Sequence, residues 1–240
     1  MQNWQKNMSK LMNILIAHIM SRLDFQMKPT FTGKITDNLF AIRDRNVNLY
    51  VYLTDAGPIC FDAGYGGASL EKEFRKIDVM PQALKHIFFT HSDADHARNL
   101  SLFPSAKRYL CGDEEQMING ETARFSGVYF NSIDNLGEYT LLADGDAITI
   151  GTTTISAIAT PGHTPGSMSY LVDDTILITG DTLFLENGKA GEFVESYNMD
   201  TPTQRESIRK LAGLDRIRLM CTAHTGFTWN FEEAMQAWRT

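Results

Sequence analysis

The sequence has few cysteines, no long apolar run and no excess of positive charge. Its three cysteines, Cys60, Cys111 and Cys221, lie far apart and form neither a disulfide framework nor a Cys-x-x-Cys metal pair. No apolar stretch reaches the length of about 18 residues that a transmembrane helix needs. Because 22 Lys and Arg stand against 29 Asp and Glu, binding to a nucleic-acid backbone is not expected. We therefore expect a protein of a reducing compartment, the cytoplasm, with no nucleic-acid partner and no integral membrane segment.

The composition is that of a globular α/β protein. The 240 residues suffice for one or two domains, and 43% of them are hydrophobic against 21% charged. From about Ile35 onwards, short strand-like runs outnumber helical stretches, and turns join many of these runs. This pattern predicts mixed sheets flanked by helices, in one domain over residues 29–240. A later helix is predicted from Thr201, the expected N-cap, to about Gly213, with Pro202 at its first position and Gln204 completing a capping box.

Residues 1–28 differ from the rest and predict an amphipathic helical extension. Large apolar side chains recur there at steps of three and four, namely Trp4, Met8, Leu11, Leu15, Ile19 and Leu23. A cleaved signal peptide fits less well, because Asn13 and His18 interrupt the apolar stretch and no small-residue cleavage site follows. The helix is expected to pack on the body or on a second copy, which would make a homodimer. Two other interpretations are a helix on a membrane surface and an extension upstream of a natural start at Met27.

Ionisable residues follow five of the strand-like runs. They are Asp62, His91, His163, Asp181 and His224. An acidic residue after a single strand is usually a turn residue or a helix cap. Ligand sites of α/β sheets, however, form beyond the carboxyl ends of the strands. We therefore expect these five side chains to meet at one edge of the fold.

The densest cluster of such residues is the segment 90–96. Four potential metal ligands lie within six residues, and they are His91, Asp93, Asp95 and His96. Imidazole nitrogens and carboxylate oxygens suit zinc, iron or manganese. In an extended loop, His91, Asp93 and Asp95 alternate onto similar sides while His96 steps away, so that one loop could serve two ions. The competing interpretation is an acidic loop that caps a helix over 97–103, with Asp93 or Asp95 as its N-cap.

These motifs together resemble the metallo-β-lactamase fold hydrolases. In that family a His-x-His-x-Asp-His loop is followed by a distant His, an Asp and a last His, each after a strand. The matching segments lie between about residue 35 and residue 240 and include Thr160–Ser167, Thr179–Thr182 and Thr222–His224. The resemblance implies a four-layer αββα fold, in which two mixed β-sheets are sandwiched between helices.

The resemblance also implies two divalent metal ions per chain. The first would be held by His91, Asp93 and His163, the second by Asp95, His96 and His224, and Asp181 would bridge them. Asp95 and Asp181 would serve catalysis directly. Asp62 matches a supporting position of the family, and we expect Thr90 and Thr182 to support the ligands as well, since metal ligands need such partners.

Several positions depart from the commonest family patterns. Asp93 stands where a His is usual, and the resulting third carboxylate shifts the preference away from zinc towards iron or manganese. Zinc and iron therefore both remain expected metals, with manganese as a third option. The presence of Asp181 argues against a true β-lactamase, which generally lacks this bridging residue. Phe184 stands where the acyl-homoserine lactonases have a Tyr. Only Arg239 offers a positive charge near the C-terminus, which makes a glutathione-bearing substrate doubtful.

The function expected from this resemblance is hydrolysis of a small molecule. A hydroxide shared by two ions would attack an ester, lactone, thioester or phosphoester. The alternative is a diiron oxidoreductase that reduces oxygen or nitric oxide, or oxidises a small substrate. Asp93 favours this alternative, since the diiron flavoprotein branch also has a carboxylate there, but no fused flavin domain is seen. A third interpretation is a metal-bound module without turnover. Five aromatic residues are candidates to line a substrate cleft, namely Tyr129, Phe130, Phe184, Phe193 and Tyr197.

Overall fold

The computed structural model describes residues 27–122 and 136–239. The predicted amphipathic helix of residues 1–28 lies almost wholly outside the described residues, as do the cleft candidates Tyr129 and Phe130. Among the residues described, no helix has the length and apolar character needed to cross a bilayer.

A seven-stranded mixed sheet forms the first half of the fold, with its strands side by side in chain order. They are β1 (Gly33–Lys34), β2 (Leu39–Asp44), β3 (Val47–Thr54), β4 (Gly57–Phe61), β5 (His86–Phe88), β6 (Lys107–Cys111) and β7 (Thr140–Leu142). Strands β1 to β4 pair antiparallel, and β4 to β7 pair parallel. Parallel neighbours need crossover connections, which contain the helices α1 (Ala68–Arg75), α2 (Ala94–Ala97) and α3 (Glu115–Ile118).

The second half of the fold contains a six-stranded mixed sheet and a hairpin. Its strands are β8 (Ala147–Ile150), β9 (Thr153–Ala159), β10 (Met168–Val172), β11 (Ile176–Ile178), β12 (Leu183–Glu186), β13 (Lys189–Glu192), β14 (Leu219–Thr222) and β15 (Gly226–Thr228). The sheet has the order β15-β14-β11-β10-β9-β8, and β12 pairs with β13 alone. Helix α4 (Thr201–Ala212) leads from the hairpin to β14, and α5 (Phe231–Met235) follows β15.

The two sheets pack face to face, and helices cover both outer faces. Strand β9 alternates buried and half-buried residues, as expected of a strand with one face on a core. The core between the sheets includes Phe61, Phe88 and Tyr170. On the outer face of the first sheet, helix α1 buries Leu70 and Phe74, which lie four residues apart on one helical face. Helices α4 and α5 cover the second sheet. The predicted αββα order of layers is therefore confirmed.

Two buried tyrosines tie the sheets together. The hydroxyl of Tyr50, on β3 of the first sheet, donates to the carbonyl of Thr222 on β14 at 2.7 Å. In the opposite direction, Tyr170 on β10 donates to the carbonyl of Phe89 at 2.7 Å. Phe89 lies two residues before His91, and Thr222 lies two residues before His224. Both ties therefore hold the backbone just before a predicted metal ligand.

The start of helix α4 differs from its prediction by one residue. Asp200, not Thr201, is the N-cap, and its Oδ1 accepts from the backbone nitrogen of Thr203 at 3.0 Å. The predicted capping box is also wrong, because the side chain of Gln204 turns inward and its Nε2 donates to the carbonyl of Asp181 at 3.1 Å. The physical reason is burial: Gln204 is fully buried where the helix packs on the loop after β11, and cannot reach back to the cap.

Candidate metal centre

The structure brings all seven predicted metal ligands together at one edge of the two sheets. The loop after β5 and helix α2, which follows it, supply four of them, and the loops after β9, β11 and β14 supply one each. Their donor atoms form three overlapping groups, and within each group all atoms lie within 4.8 Å of one another. The groups are His91, Asp93 and His163; His91, His96 and Asp181; and Asp95, His96 and His224. Each group combines side chains from both halves of the fold.

Two of these groups have the composition that the family resemblance implies for two metal positions. We call His91, Asp93 and His163 the first group, in which Oδ2 of Asp93 lies 3.4 Å from Nε2 of His91 and 3.3 Å from Nε2 of His163. Asp93 occupies the N-cap position of α2 but makes no side-chain cap. Its carboxylate faces the two histidines instead, so the competing helix-cap interpretation is not what the structure contains.

The second group consists of Asp95, His96 and His224. Oδ2 of Asp95 lies 3.7 Å from Nε2 of His96 and 3.4 Å from Nε2 of His224. Asp181 lies between the two groups, because its Oδ2 is 3.3 Å from Nε2 of His224 and 3.4 Å from Nε2 of His163. The Asp181 carboxylate therefore contacts a member of each group.

The spacing and burial of these atoms suit divalent cations. A tetrahedral ion with metal–nitrogen bonds of about 2.0–2.1 Å separates its ligand atoms by about 3.3–3.4 Å, close to the distances above. Among the residues described, Nε2 of His91, Nε2 of His96 and Oδ1 of Asp181 are buried with no hydrogen-bond partner. Buried polar atoms nearly always have a partner. The donor set thus fits a pair of cations placed between its members.

Each of the four histidines is held through its Nδ1 by an oxygen atom. The contacts join His91 to Thr90 Oγ1 at 3.0 Å, His96 to Asp62 Oδ2 at 2.8 Å, His163 to Asn198 Oδ1 at 3.3 Å, and His224 to the carbonyl of Asn46 at 2.7 Å. The carboxylate, amide and carbonyl oxygens can only accept, so Nδ1 donates to them. In the neutral imidazole the lone pair then lies on Nε2, which faces the centre, as metal-binding histidines require.

Asp62 and Thr90 support the loop after β5. Asp62 has a left-handed backbone, with φ of 64°, directly after β4, a conformation that aspartate tolerates better than most residues. Its Oδ1 accepts from the backbone nitrogen of Thr90 at 2.8 Å, and its Oδ2 accepts from Thr90 Oγ1 at 2.9 Å. The same carboxylate therefore holds both His96 and the start of the ligand loop.

The loop around Asp181 approaches Thr90 closely. A Cβ atom on Gly180 would lie 2.6 Å from Cβ of Thr90, and the φ of Gly180 is 54°, so glycine alone is free of strain there. Thr182, predicted to support the ligands, donates its hydroxyl to Oγ1 of Thr160 at 2.9 Å. Its contact thus joins the loop after β11 to the loop after β9, which carries His163.

The histidines and carboxylates of the centre shift one another's pKa values strongly. Burial alone lowers the pKa of His224, but Asp181 and Asp95 raise it to about 10. Burial also opposes a charge on His96, yet Asp181, Asp95 and Asp62 raise its pKa well above the usual value. Burial raises the pKa of Asp181, and His224 and His96 outweigh it and bring the pKa well below the usual value. The carboxylates therefore attract positive charge strongly, and a metal cation would displace protons from the histidines.

Sequence reasoning missed the partners that orient the histidines from a distance. Asn198 is 35 positions from His163, and its Nδ2 also donates to the carbonyl of Phe193 at 3.0 Å. Phe193, predicted to line a cleft, is buried with its ring centroid 5.0 Å from that of His163 and 5.5 Å from that of His224. Phe184 instead packs against Gly191 within the hairpin. No local pattern in the sequence marks Asn198, because its contact exists only in the folded chain.

The αββα layers, with paired His and Asp groups at one sheet edge, define a metallo-β-lactamase type of fold and site. The sequence profile described as the metallo-beta-lactamase superfamily matches residues 42–224, well over half of the chain. The chain therefore belongs to the metallo-beta-lactamase superfamily.

Several named relatives are similar to part of the chain. It is 31% identical over 156 residues to an uncharacterized protein of Bacillus subtilis named YobT, covering 60% of this chain and 65% of that protein. It is 31% identical over 150 residues to a hydroxyacylglutathione hydrolase of Rhizobium etli, covering 61% and 51%. A probable metallo-hydrolase of Bacillus subtilis, YqgX, is 30% identical over 142 residues, covering 57% and 66%. The chain thus spans less than two thirds of the length of each of these relatives.

Solved structures agree on the fold. A metallo-beta-lactamase family protein of Thermus thermophilus superimposes with a TM-score of 0.64 at 18% identity, covering 83% of this chain and 76% of that one. A metallo-beta-lactamase superfamily protein of Sulfolobus tokodaii gives a TM-score of 0.62 at 19% identity, covering 84% of each chain. At such low identity these similarities concern the fold alone.

Proposed function

We propose that the chain is a metal-dependent hydrolase of a small molecule, with two divalent ions held by the seven side chains of the centre. The observation that carries this proposal is the pair of His and Asp groups with Asp181 between them, each donor spaced as a metal would require. The names of two relatives, a hydroxyacylglutathione hydrolase and a probable metallo-hydrolase, support the same reaction class.

The roles of the side chains follow from their exposure and contacts. When bound, two such ions lower the pKa of water towards about 7 and polarise a carbonyl or phosphoryl oxygen of the substrate. The Asp181 side chain is 5% exposed and Asp95 is 19% exposed, so Asp95 is the more open to an incoming molecule. With Oδ2 turned to the histidines, Asp95 is left with Oδ1 to orient the attacking water and receive its proton. Phe193 excludes solvent on the side of His163 and His224.

The substrate is an ester, a lactone, a thioester or a phosphoester. A glutathione thioester is disfavoured, because Arg239 already has partners within the C-terminal segment. Its guanidinium bonds to Glu232 at 2.8 Å and lies over the ring of Phe231. A substrate carboxylate would have to compete with these partners for Arg239.

Asp93 supports a second candidate, a diiron oxidoreductase acting on oxygen, nitric oxide or a small substrate. Its carboxylate lies between two histidines, and the centre has three carboxylates with Asp95 and Asp181. Hard oxygen ligands favour iron or manganese over zinc relative to an all-histidine site. Iron, zinc and manganese are therefore all to be compared.

The test is removal and return of the metal. Chelator-stripped protein is reloaded with zinc, manganese or, under anaerobic conditions, iron(II), and assayed on chromogenic esters, lactones, thioesters and phosphodiesters. We expect reloading to restore turnover, and Asp181→Ala to lose metal and turnover together because its carboxylate contacts both groups. Unchanged turnover in the stripped protein would contradict the proposal, and a redox-active iron pair without hydrolysis would favour the second candidate.

A further inference from the structure

Glu114 is a buried carboxylate that the centre itself does not use. It lies in the turn after β6 and is fully buried. Its Oε1 accepts from the backbone nitrogen of Ser92 at 2.8 Å and from the hydroxyl of Ser92 at 2.6 Å. Its Oε2 accepts from the hydroxyl of Thr164 at 2.7 Å and from the backbone nitrogen of Gly166 at 3.0 Å. One carboxylate thus joins two loops.

Those two loops are the ones that build the first group. Ser92 lies between His91 and Asp93, and Thr164 directly follows His163. The loops come from different sheets, since one follows β5 and the other follows β9. Glu114 therefore sits behind all three members of the first group and spans the gap between the segments that carry them.

The second group lacks such a connection to Glu114. His96 is held by Asp62, and His224 is held by the carbonyl of Asn46. None of the hydrogen bonds described for Glu114 reaches the residues next to Asp95, His96 or His224. We therefore expect a change at Glu114 to affect the first group and not the second.

The chemistry at Glu114 suits a rigid connection. Only an ionised carboxylate accepts hydrogen bonds at both oxygens without donating, and charge-assisted bonds of this kind are shorter and stronger than neutral ones. The loop of His163 also approaches the turn of Glu114 closely, because a Cβ on Gly166 would lie 2.2 Å from the backbone nitrogen of Glu114. Burial raises the pKa of Glu114 although hydrogen-bond donors surround it. An ionised carboxylate at this position therefore costs folding free energy, which an apolar side chain filling the same space would not.

We propose that Glu114 is a positioning residue that sets the distance between the loop of His91 and Asp93 and the loop of His163, and so determines metal affinity in the first group but not in the second. This inference rests on the proposed function, since it concerns the same pair of metal positions.

The test replaces Glu114 by Gln in two single-site backgrounds. In Glu114→Gln an NH2 group replaces one of the two carboxylate oxygens. This group donates and cannot accept, and it faces N–H or O–H donors of a loop, so at least one hydrogen bond between Glu114 and the loops is lost. The background His224→Ala disables the second group and reports on the first, and His163→Ala does the reverse. Cobalt(II) is titrated into chelator-stripped protein, and its visible absorption is followed in competition with a chelator of known affinity.

We expect Glu114→Gln to weaken cobalt binding about 10- to 100-fold in the His224→Ala background, with altered absorption bands, and to leave binding in the His163→Ala background unchanged. Glu115→Gln is the matched control, because Glu115 is the next residue and its Oε1 accepts from the hydroxyl of Tyr139 at 2.9 Å, away from the centre. It should change neither background.

The inference would be overturned if Glu114→Gln weakened cobalt binding equally in both backgrounds. It would also be overturned if Glu114→Gln weakened cobalt binding in neither background. If Glu114→Gln fails to fold, Thr164→Val replaces it, since this change removes one donor at nearly constant volume and should weaken the first group several-fold. A wild-type protein that binds no cobalt contradicts the proposed function itself. A wild type that binds two ions while Glu114→Gln binds both equally well contradicts only the role of Glu114.

Discussion

At the scale of single residues, the centre depends on side chains that hold other side chains. Asp62 is the clearest case, because one carboxylate accepts from Thr90 twice and from His96 once. Its left-handed backbone at the end of β4 directs it towards both partners. Partners of this kind orient a metal-binding imidazole and fix its tautomer, and losing one typically costs 10- to 100-fold in metal affinity.

Asp62→Asn should therefore weaken metal binding about 10- to 100-fold with little change in the fold. The amide retains one acceptor oxygen, but its nitrogen cannot accept from either Nδ1 of His96 or the donors of Thr90. Isothermal titration of stripped protein with zinc measures the effect. Asp78→Asn is a matched control, since Asp78 is an exposed aspartate with a similar left-handed φ of 55°. Equal affinity in both variants would contradict this role.

The seven candidate donors could be named from the sequence because several follow strands, four lie within the segment 91–96, and the family resemblance assigns them to two metal positions. The groups that orient these donors could not, for a physical reason. The contact of His224 with the carbonyl of Asn46 joins positions 178 residues apart and involves a backbone atom that every residue has. Glu114 is likewise an ordinary acidic residue in the sequence. The pairing of β5 with β6 brings it near Ser92, and the packing of the second sheet brings it to Thr164.

At the scale of secondary-structure elements, the sequence pattern predicts the presence of strands and helices better than it predicts the residues at which they begin and end. Strands β8 and β10 coincide with the strand-like runs Ala147–Ile150 and Met168–Val172 of the sequence, whereas helix α4 begins with a different cap. The hairpin of β12 and β13 was missed although its signal is present. Asn187 and Gly188 both have positive φ, of 51° and 77°, and Asn-Gly between two strand-like runs is typical of a tight hairpin turn.

The cap of helix α4 can be tested through stability. Asp200→Ala removes the acceptor for the backbone nitrogen of Thr203 and should lower the free energy of unfolding by about 1 kcal/mol. Asp200→Asn keeps an acceptor oxygen and should lose only a few tenths of that. Urea denaturation of metal-free protein measures both values. A loss in Asp200→Asn as large as in Asp200→Ala would indicate that the cap is not the source of the effect.

At the scale of the whole molecule, the site lies where two sheets meet, so their relative position matters. The hydroxyls of Tyr50 and Tyr170 cross between the sheets in opposite directions. Their acceptor carbonyls belong to Thr222 and Phe89, just before two of the metal-ligand candidates. Strand and helix patterns predict mixed sheets flanked by helices, and the family resemblance adds the order of the layers. Neither predicts these ties, because the sequence does not show which acceptor a buried tyrosine hydroxyl will reach.

Tyr170→Phe should destabilise the protein by about 1–3 kcal/mol, because it leaves the buried carbonyl of Phe89 without its donor while keeping the ring. Thermal and urea unfolding of metal-free protein measure the change. Tyr139→Phe also removes one hydroxyl, but that hydroxyl bonds to the half-buried Glu115, so its cost should stay within about 0.5 kcal/mol. Similar losses in the two variants would argue against a special contribution of the tie between the sheets.

Each group of donors draws two members from the segment 91–96, which follows β5, and its third member from a loop of the second sheet. A partly folded chain in which only the first sheet has formed therefore offers incomplete sets of ligands, which would bind a cation weakly. If the proposed function holds, full coordination would come only when the second sheet docks, and metal uptake would be a late event in refolding. The time at which cobalt(II) gains its protein-bound absorption during refolding would then report when the two sheets dock.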